Sequence, residues 1–90
     1  MDPLYDALPP DTALRVQLAA RLSYETRENR RRVLAAMDVA DEGALLGRIS
    51  RGEVAEHPAY EHYLAACILR DTHESTRQLI TDALNKANRP

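Results

Sequence analysis

The feature that most constrains this chain is the run from Asp11 to Glu42, which contains no glycine and no proline. Within it Leu14, Leu18 and Leu22 recur at four-residue spacing, and Val33, Ala36 and Ala40 resume the pattern downstream. A breaker-free stretch whose apolar residues return about once per turn is the signature of an amphipathic α-helix. Pro9-Pro10 blocks helix immediately upstream, so residues 1–10 are expected to form an extended arm, with Asp11 or Thr12 as the N-cap. The helix should run for roughly 27 residues, about 40 Å at 1.5 Å per residue.

That stripe has a hole. Residues 25–32, "ETRENRRR", include no apolar side chain. A helix break, a basic patch for nucleic acid, a solvated overhang and a polar layer within a helical interface would each produce it. Glu and Arg are good helix formers, and Glu28 stands four residues before Arg32, the favourable order for an ion pair along a helix. The break is therefore the weakest of the four.

Downstream, Asp38 and Asp41 are capping residues, and "ALLGRIS" places Leu45 and Ile49 on one side of a short helix that stops at Gly52. Pro58 suits the first position of a third helix, behind His57 as a poor N-cap. There Leu64, Ile68, Thr72, Leu79 and Ala83 share a face with Ala65 and Leu69, and the helix should end near Asn85 or Lys86. No segment alternates with period two. The fold class expected is all-α: an antiparallel hairpin of two long helices with a short connecting helix, residues 11–88 forming one helical domain completed by oligomerisation or a partner.

The third helix has a polar gap of its own, "RDTHESTRQ" at residues 70–78. In an antiparallel hairpin, residues that face each other have numbers of constant sum. Aligning the two gaps sets that sum near 102 and places residues 33–37 against 65–69 and 14–22 against 80–88. The expected polar layer then has Glu25, Asn29 and Arg32 facing Thr72, Ser75 and Thr76, with Arg27, Arg30 and Arg31 pointing outward.

Composition narrows the function. A 90-residue chain is marginal alone, and with no Trp or Phe its core must come from Leu, Ala, Ile, Val and four Tyr. A net charge of −2 gives no global reason to bind nucleic acid or an anionic membrane. The longest apolar run, "YLAACIL", is too short to span a bilayer, and one cysteine, Cys67, cannot close an internal disulfide. A cytoplasmic protein is expected.

None of the chemistry-bearing residues forms a specific motif. Arg27, Arg30, Arg31 and Arg32 could track phosphates or clamp an acidic partner, but Glu25 and Glu28 dilute them and no aromatic interleaves them. Glu53, Glu56, His57, Glu61 and His62 raise a metal question, yet they contain no HExxH and no paired ExxH. His73, Glu74 and Ser75 could be drawn as base, orienter and nucleophile, but adjacent helical residues point about 100° apart. Cys67 reads as a small core residue, and Tyr24, Tyr60 and Tyr63 either anchor an interface or cap the core. No catalytic residue, cofactor or metal is expected.

With its acidic balance, small size and helix, loop, helix plan, in which "RGEVAEHPAYEHYL" leads into the third helix, the chain resembles in outline the small helical-hairpin proteins of bacterial type III secretion. That resemblance implies needle subunits or their co-chaperones. The function expected is a non-catalytic helical module that binds another protein or a second copy of itself, as adaptor, chaperone or assembly factor. The rivals are a nucleic-acid-binding regulator using Arg27 to Arg32 and a small helical metal or ligand-binding protein.

Overall fold

A computed structural model describes residues 8–88 as three α-helices and no strand. Helix α1 spans Pro10–Ala36, α2 spans Glu42–Ser50 and α3 spans Glu56–Ala87. The long helices α1 and α3 pack side by side as an antiparallel hairpin with α2 at its closed end, so the fold class is as expected. The arm expected over residues 1–10 falls largely on residues 1–7, outside the described residues.

The cap of α1 differs from expectation. Pro9, not Asp11 or Thr12, holds the N-cap (φ −55°, ψ 147°), and Pro10 is already helical. Proline tolerates the first turn because its missing N–H would have had no helical partner there. Asp11 instead lies in the first turn, where a negative charge meets the positive end of the helix dipole. Asp38, at φ 55°, takes the left-handed conformation just beyond α1, and Asp41 caps α2 by accepting a hydrogen bond from the Ala44 N–H at 2.8 Å. His57 is extended (φ −111°, ψ 129°), so regular helix in α3 begins at Pro58.

The seam between the long helices is not the leucine stripe. Along the seam α1 presents Val16, Ala19, Ser23, Thr26, Arg30 and Val33, each buried or half-buried and spaced alternately three and four apart. On α3 the same alternation runs through Ala59, His62, Ala66, Leu69, His73, Thr76, Ile80, Ala83 and Ala87, each buried or half-buried, with Tyr63, Ala65, Cys67, Thr72 and Leu84 half-buried beside them. A 3,4 alternation averages 3.5 residues, the period that keeps a seam facing its neighbour along its whole length. Leu14, Leu18 and Leu22 advance by four residues each time and so rotate about 40° per step. Their exposures are 57%, 60% and 43%.

Small seam residues let the helices approach closely but leave little core. Leu45 and Val16 are the largest side chains fully removed from water. Leu45 and Leu34 belong to the closed end, where α2 lies along one flank of the hairpin.

Candidate functional site

Register decides which polar residues meet. The His73 ring lies against Ser23, its Nδ1 3.0 Å from the Ser23 carbonyl and 3.1 Å from Oγ. Those numbers sum to 96, six below expectation. Glu25, Asn29 and Arg32 are accordingly exposed on the outer face of α1 and do not face Thr72, Ser75 and Thr76. The expected layer of those six residues is thus corrected. Thr76 alone of them is buried, Thr72 is half-buried, and Ser75 faces solvent.

A polar layer does cross the hairpin, built from Ser23, Thr26, His73 and Thr76. Thr26 and Thr76 are 5% and 7% exposed. Each hydroxyl donates back to its own helix, Thr26 to the Leu22 and Ser23 carbonyls at 2.8 and 3.1 Å and Thr76 to the His73 carbonyl at 2.7 Å. Burial of such groups is tolerable because they are satisfied, and among the described residues no buried side-chain N or O lacks a partner. The 3.5-residue alternation was the signal that would have found Ser23, Thr26 and His73.

The layer is not a nucleophile and its base. A carbonyl only accepts, so Nδ1 carries the proton that it donates to the Ser23 oxygen, and it cannot also take the proton of Ser23 Oγ. The neighbouring Glu74 is exposed and sits beside Arg77 at 3.7 Å, turned away from the ring.

The arginine cluster divides. Arg30, expected to point outward, turns instead into the closed end, where Nε and Nη2 donate to the two carboxylate oxygens of Glu42 at 2.5 and 2.7 Å. The Glu42 side chain is 6% exposed and that of Arg30 29%. This forked pairing holds the Glu42 carboxyl below the ordinary glutamate range and raises the Arg30 guanidinium further. Arg27, Arg31 and Arg32 are exposed: the first two share Glu28 at 3.6 and 3.4 Å, and Arg32 donates to Asn29 at 3.4 Å. Arg27 also stands over the Tyr24 ring, 5.6 Å from its centre. Much of the local positive charge is therefore met within the chain.

Near the start of α3, His57 and Glu61 do come together, at 2.6 Å on an exposed surface. The Glu61 carboxylate, at hydrogen-bond distance, raises the His57 pKa. His62 leaves this pair, its Nδ1 lying 2.9 Å from the Pro58 carbonyl. Among the described residues no group of three or more His, Cys, Asp or Glu is placed to hold a metal ion. Tyr60 and Tyr63 stack at 6.0 Å, Tyr60 being 40% exposed, and the Tyr63 pKa is raised by its contact with Cys67. A cleft of about 440 Å³ opens between the free ends of α1 and α3, lined by Leu8, Val16, Leu79 and Ala83 with Arg15, Asp82 and Lys86 beside them. No His, Cys or Ser lines it.

What remains is an uncovered surface. Counting 100° per residue, Leu34 and α2 lie to one side of the seam, and Leu14, Leu18 and Leu22 lie about 110° to the other. Ile68 and Leu79 of α3, 65% and 47% exposed, occupy the equivalent rotation about their own helix. In an antiparallel pair equal rotations fall on the same flank. That flank, opposite α2, carries five large apolar side chains in water, with Glu25, Asn29 and Arg32 continuing the α1 stripe toward the closed end.

The family model of the Uncharacterized protein MJ0235 family matches residues 12–88, the whole hairpin with its connecting helix. None of the curated proteins compared, and none of the solved structures, matches the chain. No helix among the described residues is long and apolar enough to cross a membrane.

Proposed function

The chain belongs to the MJ0235 family, and on that premise we propose that it is a non-catalytic helical interaction module whose working surface is the flank opposite α2. The observation that carries this reading is the exposure of Leu14, Leu18 and Leu22 on α1 beside Ile68 and Leu79 on α3. Single exposed leucines need no explanation, but a cluster of large apolar side chains rimmed by charge marks a protein contact. The rim is present: Arg21 pairs with Glu25 at 3.0 Å, and Asn29 and Arg32 extend it. The arginine surface is a weaker basis for a nucleic-acid reading, because Glu28 and Glu42 already meet much of its charge.

A photo-reactive p-benzoylphenylalanine in place of Leu18, introduced in the native host, tests the surface directly. Irradiation should link position 18 to a protein, whereas the same group in place of Arg31, on the far side of α1, should give no adduct. Absence of a protein adduct at position 18 would sink the reading.

A further inference from the structure

We propose that the flank opposite α2 is covered by a second copy of this chain, packed antiparallel about a two-fold axis at the level of Leu18 and Leu79. This rests on the reading of the flank as a docking surface and adds its occupant.

The first argument is area. A folded monomer of 10.1 kDa exposes about 5,300 Å² by the scaling of surface with mass, whereas this chain exposes 6400 Å². Its radius of gyration is 17.4 Å against about 12 Å for a compact domain of this length, with extents of 56 × 20 × 17 Å. The surplus surface, on the order of 1,000 Å², is comparable to the ~800 Å² that each partner loses in a standard interface. A small net charge of −2 puts no long-range repulsion in the way.

The second argument is symmetry. A two-fold interface must be self-complementary, residue i meeting j while j meets i. Leu14, Leu18 and Leu22 are evenly spaced, so the stripe reads the same from either direction, and an axis through Leu18 sets Leu14 against Leu22 of the second copy. The register fixed by Ser23 and His73 places Leu79 opposite position 17, so the same axis brings Leu79 near its own copy. One axis therefore serves both helices. Past Leu22 the stripe becomes Glu25, Asn29 and Arg32, which confines the overlap to the open half of the hairpin.

The same register sets Asp11 against Glu25 of the second copy at the rim, a like-charge contact, and this makes the geometry testable beyond mere association. Sedimentation velocity of the full chain from about 1 to 500 μM should show a monomer–dimer equilibrium, and Leu18→Glu should abolish it while helicity by circular dichroism stays unchanged. In a Cys67→Ser background, Leu18→Cys should oxidise to a disulfide dimer because position 18 meets itself, and Ala36→Cys, on the same stripe beyond the overlap, should not. Asp11→Arg should tighten the dimer about three- to tenfold, from two rim pairs worth ~0.2–1 kcal/mol each. A wild-type chain that stays monomeric throughout overturns the proposal, as does a dimer that survives Leu18→Glu. Cross-linking through Ala36→Cys in preference to Leu18→Cys overturns the axis. A monomeric chain whose position 18 still links to another host protein overturns the second copy as occupant and leaves the docking surface standing; an adduct of twice the chain mass supports the second copy.

Discussion

The two ends of the hairpin are built to different standards. At the closed end the flank that α2 covers is sealed: Leu45 is 0% and Leu34 4% exposed, the Arg30–Glu42 fork ties α1 to α2, and Arg48 donates to the Met37 carbonyl at 2.8 Å, whereas Leu46, Leu64 and Ile68 on the uncovered faces stay in water. At the open end Val16 and Ala19 are buried, but Leu14, Leu18 and Leu79, on the same two helices, stand about half in water. Both ends have the same architecture of two helices in contact. The difference is the third layer, which α2 supplies to one flank at one end. Two helices alone leave much of a leucine in water, and on the faces that α2 does not reach the helices carry their largest side chains outward; the leucine buried at the open end is Leu8, which precedes α1.

The largest way to break this contrast is to hollow the finished end. Leu45→Ala should cost about 3 kcal/mol in urea unfolding, since a buried leucine loses both transfer free energy and packing. A loss under about 1 kcal/mol would mean that the closed end is no better packed than the open one. Arg30→Ala should come next, at about 2 kcal/mol, because it strands a carboxylate that is nearly removed from water; partial exposure of Arg30 keeps the cost below the ~3–5 kcal/mol of a fully buried pair. The pH dependence follows from Glu42, whose folded pKa is lowered chiefly by the hydrogen bonds from Arg30. Its contribution is fully present above the ordinary glutamate value and is lost as pH falls through the lowered folded value. The stability gap between the wild type and Glu42→Gln should therefore close on acidification; a gap that holds constant would remove the fork from the account.

A smaller effect is expected in the middle. Replacing Ser23 by Ala and His73 by Leu together removes the ring donor and the hydroxyl beside it, while the Ser23 carbonyl keeps the bond from Thr26 Oγ1, so nothing is stranded and the melting temperature should stay level or rise by a few degrees. His73→Ala alone opens a void and should cost about 1 kcal/mol. A double variant less stable than the single one would show that the layer stabilises the hairpin as well as setting its register. Smallest of all, Leu18→Gln measured below the concentration of any self-association should change stability by less than about 0.5 kcal/mol. A loss of 2 kcal/mol there would place Leu18 in the monomer's core and erase the contrast between the ends.

Much of the architecture was legible in the chain. Asp41 as a cap, Gly52 at φ 71°, Pro58 at the start of regular helix and the breaker-free run over α1 are local signals, and local signals survive into the fold. The facing residues were harder to read, because hydrophobicity and position pointed different ways. Leu14, Leu18 and Leu22 dominate any apolar count, whereas the seam consists of Ala19, Ser23, Thr26, Ala66 and Thr76, small residues whose value lies in close approach. Matching polar gap to polar gap then set the register six residues out. Glu25, Asn29 and Arg32 read as inward because they continue the leucine stripe, and they do continue it, on the outside. Arg30 lies off that stripe and so reads as outward, and its partner Glu42, 12 residues away, gives no local sign.

The placement of α2 also bears on the order in which the chain acquires its structure. Arg30 and Glu42 are 12 positions apart, whereas Thr12 and Lys86, which line one cleft at the far end, are 74 apart. Closing the longer loop directly from the unfolded chain costs about 1.5 kcal/mol more entropy than closing the shorter one. The hairpin should therefore nucleate at the turn and zip toward its termini, the three-helix corner forming before the transition state and the seam from Ser23 outward after it. In a chevron analysis, Leu45→Ala and Arg30→Ala should slow refolding, while Val16→Ala and Ala83→Gly should leave refolding nearly unchanged and speed unfolding. The free ends of α1 and α3 would then be the last part to close and the first to open, and the persistence of the native hairpin would be set at the end farthest from where it began.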